Sequence, residues 1–247
     1  MKIPLFIFFL FLLAALPLTR FFSGQPLLAG TLPYHHLRIA ETFHDLFFQD
    51  PSITGSRLIS ITPYHLLLSF FTTHFNSTLT LLILTGLLHL ASFLILANIL
   101  NNTPRIRHLC SYFLFLYTTS TPVLASMLNP TPLAFCIFLY LSAISAFTHK
   151  KSYLSSLLFF VLSLHGFIET SISITTLYFL QRLNRQQPTF LFFFLIFYLL
   201  AFSTPLFFFA QTPTTETSSF IAEFGGLMSE SIMLLLLAFI GILFIWT

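Results

Sequence analysis

The residues best suited to chemistry gather in one polar stretch, residues 30–65, of an otherwise apolar chain. The titratable side chains there are Tyr34, His35, His36, Arg38, Glu41, His44, Asp45, Asp50, Arg57, Tyr64 and His65. Such groups are costly to place in lipid, so we expect the stretch to lie outside the bilayer or to face a cavity. Any binding or catalytic chemistry is expected here.

The spacing of the histidines favours hydrogen bonding over metal binding. His35, His36 and His44 show neither H-x-x-x-H nor H-x-H spacing, so we assign no metal ligands among them. Cys110 and Cys136 both sit within apolar runs, which is typical of small core residues rather than of a disulfide or a catalytic thiol.

The first part of this stretch has the pattern of an amphipathic helix near residues 33–48. Pro33 suits the first helical position. Polar residues repeat on one face (Tyr34, Arg38, Glu41 and Asp45) and apolar residues on the adjoining face (Leu37, Ala40, Phe43 and Phe47). By itself this spacing predicts an interfacial helix that lies on the bilayer.

Composition identifies the fold class. The chain has 247 residues, of which 56% are hydrophobic and 7% charged, whereas a soluble domain has about 25% charged residues. Membrane-spanning backbone must form helices or a closed barrel, and the apolar stretches are continuous rather than alternating. We therefore predict an all-α, polytopic membrane helix bundle, with no footprint of nucleic-acid binding.

The apolar runs predict a single membrane domain, 1–247, with about eight spans. Residues 3–19 form a first span or signal anchor, and 20–77 form an outer loop with helices near 33–48 and 63–75. The central spans, 78–209, comprise 78–98, 109–127, 133–148, two short helices within 152–181 that break near His165, and 188–209. An outer loop, 210–228, and a last span, 229–247, complete the chain.

Basic residues predict the orientation. Eight spans place seven of them on the cytoplasmic side, as the positive-inside rule requires: Lys2, Arg105, Arg107, Lys150, Lys151, Arg182 and Arg185. The N- and C-termini are then cytoplasmic. Loops 20–77 and 210–228 are outside, together with the acidic residues of the chain.

Residues 30–40 (GTLPYHHLRIA) resemble the start of the first outer loop in C-type membrane glycosyltransferases. The similarity is greatest to the oligosaccharyltransferase catalytic subunit and its shorter archaeal relatives, and it continues through Asp50, Arg57 and the Pro63–His65 phrase. It implies a GT-C fold that binds or processes a polyprenyl-linked sugar at the outer face. The implied catalytic residues are Asp50, Glu216 and Glu223, and the implied substrate-binding residues are Tyr34, His35, His36, Arg38, Arg57, Tyr64 and His65.

The chain departs from the family at its acidic positions. The first-loop acid would fall at Leu32, and the second-loop Asp-x-Asp motif would fall on residues 130–132 (PTP). The divalent metal expected for the family therefore lacks its usual ligands. The chain is either a glycosyltransferase, active or catalytically degenerate, or a non-catalytic scaffold subunit that contacts membrane lipids and other membrane subunits.

A transporter fits less well. The predicted spans carry no charged residue near their middle. His89 lies in the middle of span 78–98, and we expect it to bond a neighbouring helix.

Overall fold

A computed structural model describes residues 3–28, 31–41, 62–104 and 106–165, together with 169, 172–173, 175–177 and 180. The helices are α1 (Ile3–Phe22), α2 (Leu32–Glu41), α3 (Pro63–Thr72), α4 (Ser77–Asn102), α5 (Cys110–Thr119), α6 (Thr121–Leu128), α7 (Leu133–Thr148) and α8 (Ser152–Ser163), with a 3₁₀ turn at Arg107–Leu109. No strand occurs within these ranges, so the all-α prediction is confirmed.

Two helices, α1 and α4, are long and apolar enough to cross a membrane. With 26 residues, α4 rises about 39 Å, which exceeds a hydrocarbon core of about 30 Å. Helices α7 and α8 are apolar but shorter. These helices support the assignment as a membrane protein, while the arrangement of about eight spans remains a prediction.

Helices α7 and α8 form a close antiparallel hairpin. Ser155 Oγ donates to the Ala143 carbonyl at 2.8 Å, and the rings of Tyr140 and Phe159 meet edge to face with centroids 6.0 Å apart. The connecting turn places Lys150 at a φ of 60°. Because the hairpin is antiparallel, the start of α7 and the end of α8 lie at the same end.

The buried core has two parts that share α4. One part joins residues of α2, α3, α4, α7 and α8, with Tyr64, Leu68, Leu81 and Phe159 fully buried. The other joins α1, α4, α5 and α6, where the rings of Phe9 and Phe93 stack with centroids 4.5 Å apart. Packing of α2 and α3 into the first part holds the two described ends of the polar stretch, 31–41 and 62–65, against the helical bundle.

One predicted span is corrected. We expected residues 109–127 to form a single helix, but α5 ends at Thr119 and α6 begins at Thr121. Ser120 between them is extended (φ −65°, ψ 134°). The cause is Pro122, which suits the first turn of a new helix but removes a backbone donor and crowds the turn before it.

His89 bonds to neighbouring helices, as predicted. Its Nε2 lies 2.7 Å from Ser126 Oγ on α6, and its Nδ1 lies 3.3 Å from the Tyr117 hydroxyl on α5. Since Ser126 Oγ donates to the Val123 carbonyl at 3.0 Å, the Nε2–H donates to Ser126 and Nδ1 accepts from Tyr117. The imidazole therefore joins three helices.

Candidate binding site

The candidate site begins with α2, whose two faces follow the predicted pattern. Leu37 and Ala40 are buried, whereas the Tyr34 side chain is 44% exposed and Glu41 is also exposed. The apolar face packs mainly against α3. The partner of this face is thus another helix of the protein, whereas the sequence pattern alone predicted the bilayer surface.

Helix α3 contributes a buried histidine at its N-terminus. Thr62 is the extended N-cap residue and Pro63 opens the helix, a position where the missing N–H of proline costs nothing. His65 is only 2% exposed. The Thr62 N–H donates to His65 Nδ1 at 3.1 Å, so the imidazole does for this helix what a Glu or Gln side chain does in a capping box.

A direct hydrogen bond between two histidines joins α2 to α3. His36 Nδ1 lies 2.9 Å from His65 Nε2, and the two rings are tilted with centroids 5.1 Å apart. His35 lies beside His36, with ring centroids 5.9 Å apart. The pair is separated by 28 intervening residues, so this contact fixes α2 on α3.

The backbone determines which atoms of the two imidazoles carry protons. The Thr62 N–H can only donate, so Nδ1 of a neutral His65 must accept and its proton resides on Nε2. That Nε2–H then donates to His36 Nδ1. His36 consequently carries its proton on Nε2. This N–H is the donor at the α2 end of the hydrogen bonds that run from Thr62 through His65 to His36.

Burial keeps both imidazoles uncharged at neutral pH. Desolvation, reinforced by the neighbouring His35, lowers the pKa of His36 to about 4. Desolvation, followed by the neighbouring histidines, lowers the pKa of His65 to about 3. The pair therefore offers hydrogen-bond donors and acceptors, and within α2 and α3 the positive charge comes from Arg38.

A third histidine, His165, lies near the same cluster. The Phe135 ring at the start of α7 lies between Tyr64, with centroids 6.1 Å apart, and His165 after α8, with centroids 5.4 Å apart. His165 Nδ1 lies 3.2 Å from the Val161 carbonyl, so Nδ1 carries the proton and Nε2 is an acceptor. Burial lowers the pKa of His165 to about 4, which keeps this ring neutral too.

The structure brings together part of the predicted site. His35, His36, Tyr64 and His65 form one cluster, while Tyr34 and Arg38 lie on the same short helix. The remaining predicted residues lie outside the described residues: Asp50, Arg57, Glu216 and Glu223.

Sequence reasoning missed His165 and Phe135 as members of the site. The His165–Gly166 break was visible as a helix end, but the neighbours of that end are residues 30 and 100 positions away along the chain. In the described part of the chain, no three His, Cys, Asp or Glu side chains converge as a metal site would require. The described cluster offers uncharged hydrogen-bonding groups.

The chain was also compared with protein-family models, with curated proteins and with solved structures. None of the three comparisons found a match.

Proposed function

We propose that this chain is a GT-C-like integral membrane protein that binds the headgroup of a lipid-linked sugar at the outer membrane face. The headgroup site is the surface of α2 and α3, with Arg38 contacting the phosphate and the uncharged histidines contacting hydroxyl groups. The single observation that carries this proposal is the hydrogen bond between His36 and His65, because it ties the polar helix of the first loop to the bundle.

The geometry of α2 supports this assignment of roles. Arg38 is partly exposed and Tyr34 is exposed, while the apolar residues of α2 are buried beneath them. A guanidinium on a helix whose position is fixed can bind phosphate through two N–H groups at once, which a flexible loop does less well. The half-buried imidazole of His36 lies one helical turn or less from Arg38.

The distribution of charge along α7 and α8 supports the proposed orientation. The histidine cluster contacts the start of α7 through Phe135 and the end of α8 through His165. Lys150 and Lys151 lie at the opposite end of both helices. Placing the lysines in the cytoplasm, as the positive-inside rule favours, places the cluster on the outer side.

Equilibrium binding to the full chain in lipid nanodiscs tests the proposal. The probe is a polyprenyl phosphate that carries glucose, mannose or N-acetylglucosamine. Removing a charge-assisted hydrogen bond should weaken binding about ten- to a hundredfold, so we expect that loss for Arg38→Gln. Arg107→Gln is the matched control, since Arg107 is exposed near the far end of α4. Equal affinities for both variants and the wild type would contradict the proposal.

Catalysis by the chain depends on carboxylates. Asp50 is the best candidate for a general base or ligand in the first loop, and Glu216 or Glu223 for a second acid. Transfer of sugar from the polyprenyl carrier by the wild type, lost in Asp50→Asn, would establish an enzyme. Unchanged transfer in that variant would remove Asp50 from the mechanism.

A scaffold subunit without catalytic activity is the second candidate. The exposure of α1 favours a scaffold role, because only 6% of its most apolar 18-residue segment is buried within the protein. Phe11, Phe21 and Phe22 lie exposed along this helix, a face that suits lipid or a partner helix. Cross-linking from a photoreactive residue placed at position 11 in native membranes distinguishes a partner helix from lipid. A defined protein adduct favours the scaffold role, and lipid adducts alone disfavour it.

A further inference from the structure

Three buried polar atoms near the histidine pair have no hydrogen-bond partner within the described part of the chain. They are the Tyr64 hydroxyl on α3, the Thr85 hydroxyl on α4 and Nε2 of His165 after α8. Tyr64 is fully buried and Thr85 is 2% exposed. Most buried polar atoms in folded proteins are paired, so three unpaired ones contributed by converging helices need a physical reason.

The three atoms belong to one neighbourhood. Phe135 contacts both the Tyr64 ring and the His165 ring. Burial raises the pKa of Tyr64, and a side-chain interaction with the Thr85 hydroxyl opposes that rise, so the two hydroxyls are neighbours, although their geometry falls short of a hydrogen bond. The Tyr64 and His165 rings therefore both adjoin Phe135, and Thr85 adjoins Tyr64, while their buried polar atoms stay without hydrogen-bond partners among the described residues.

Their hydrogen-bonding character is complementary. His165 Nε2 can only accept, because Nδ1 carries the proton that goes to the Val161 carbonyl. The Tyr64 and Thr85 hydroxyls each donate and accept. None of the three groups is charged at neutral pH, since burial raises the pKa of Tyr64 and lowers that of His165. A phosphate is thus a poor match and an uncharged hydroxyl group is a good one.

We infer that Tyr64, Thr85 and His165 form an uncharged subsite for a hydroxyl group of the sugar, next to the Phe135 ring. This inference rests on the proposed function and divides the headgroup into two parts: the phosphate at Arg38 and the sugar at the buried subsite. A mostly apolar site with a few placed polar groups is the usual composition of a small-ligand site. The C–H face of a sugar ring also packs well on an aromatic ring such as Phe135.

Isosteric substitutions test the subsite in the full chain. Tyr64→Phe and Thr85→Val remove one hydroxyl each and keep the shape of the side chain. Each should weaken binding of a glycosylated polyprenyl phosphate about three- to tenfold, the effect of one neutral hydrogen bond. Binding of the same polyprenyl phosphate without sugar should not change. Since each variant also removes a buried unpaired group, the thermal unfolding temperature should stay constant or rise by about 2 °C.

Thr80→Val is the matched control. Thr80 also has a buried hydroxyl without a partner in the described part of α4 and its neighbours, but it points about 140° away from Thr85 around the helix axis. We expect the Thr80 variant to gain stability in the same way and to bind both lipids with wild-type affinity.

The outcomes separate the subsite from the proposed function. If wild-type protein binds the lipid equally well with and without sugar, the subsite is wrong and headgroup phosphate binding stands. If Tyr64→Phe and Thr85→Val lower stability and leave both affinities unchanged, the hydroxyls are structural, paired with an ordered water, and the inference is overturned. Binding of neither lipid overturns both proposals.

Discussion

The His65 side chain should stabilise the protein through its hydrogen bonds to Thr62 and His36 rather than through its volume. His65→Ala leaves the Thr62 N–H and His36 Nδ1 without partners, and each buried group left unpaired costs about 1–3 kcal/mol. With the lost packing of a side chain that is 2% exposed, we expect a total loss of about 3–5 kcal/mol in the free energy of unfolding.

His65→Gln provides the informative comparison. Glutamine at the third helical position accepts a hydrogen bond from the N-cap N–H in a capping box, and its amide can also donate to His36. We therefore expect His65→Gln to cost only about 1 kcal/mol, close to the effect of a weakened cap. For a chain of this size, 1 kcal/mol lowers the unfolding temperature by about 2–4 °C.

Acidification gives a second, independent readout of the same pair. Both imidazoles have pKa values in the folded protein, about 4 for His36 and about 3 for His65, that lie below the unfolded value of about 6.5. Between these values the unfolded chain binds more protons than the folded one, so stability is complete above pH 6.5 and is lost as the pH falls. At pH 5 the expected loss is about 2 kcal/mol per imidazole.

The assay is thermal unfolding of the three proteins in one detergent at pH 7.5 and at pH 5. We expect the unfolding temperature at pH 7.5 to decrease in the order wild type, His65→Gln, His65→Ala. The His65→Gln variant should lose less stability on acidification than the wild type, because one titrating imidazole is gone. Equal destabilisation by Gln and Ala, with unchanged pH dependence, would refute the assignment of hydrogen bonds as the source of stability.

Three other predictions follow from the same reasoning. Lys150→Gly should raise the free energy of unfolding by about 0.5–1 kcal/mol, because Lys150 has a φ of 60° that glycine adopts without strain; thermal unfolding measures this, and a loss of stability would contradict it. Ser126→Ala should cost about 1–3 kcal/mol by leaving the His89 Nε2–H unpaired, with exposed Ser23→Ala, whose hydroxyl bonds only its own helix end, as the control. Asp50→Asn should abolish any sugar transfer that the wild type catalyses while leaving binding of the lipid-linked sugar measurable.

Local patterns in the sequence predicted several helices because the signals are local. The apolar run before the basic residues 149–151 gives the bounds of α7, Leu133–Thr148, without tertiary information. The helical spacing of apolar and polar residues on α2 likewise distinguished the buried side chains of Leu37 and Ala40 from the exposed side chain of Tyr34. The apolar and polar faces of a helix follow from the helical repeat, so they can be predicted without knowing what the helix packs against.

Tertiary contacts explain what the sequence could not indicate. The contact of His36 with His65, and the approach of His165 to Phe135, depend on how α2, α3, α7 and α8 are arranged. Helical periodicity shows that a side chain lies on a face but not which partner it meets. The break at Ser120 was missed for a different reason, since a proline such as Pro122 can bend a membrane helix as well as begin a new one.

The most direct test is the structure of the full chain in nanodiscs saturated with a glycosylated polyprenyl phosphate. We predict density for the phosphate beside Arg38 and for the sugar toward Tyr64, Phe135 and His165. Density for a bound headgroup at any other place, with the α2 and α3 surface covered only by bulk lipid, would contradict the proposed function.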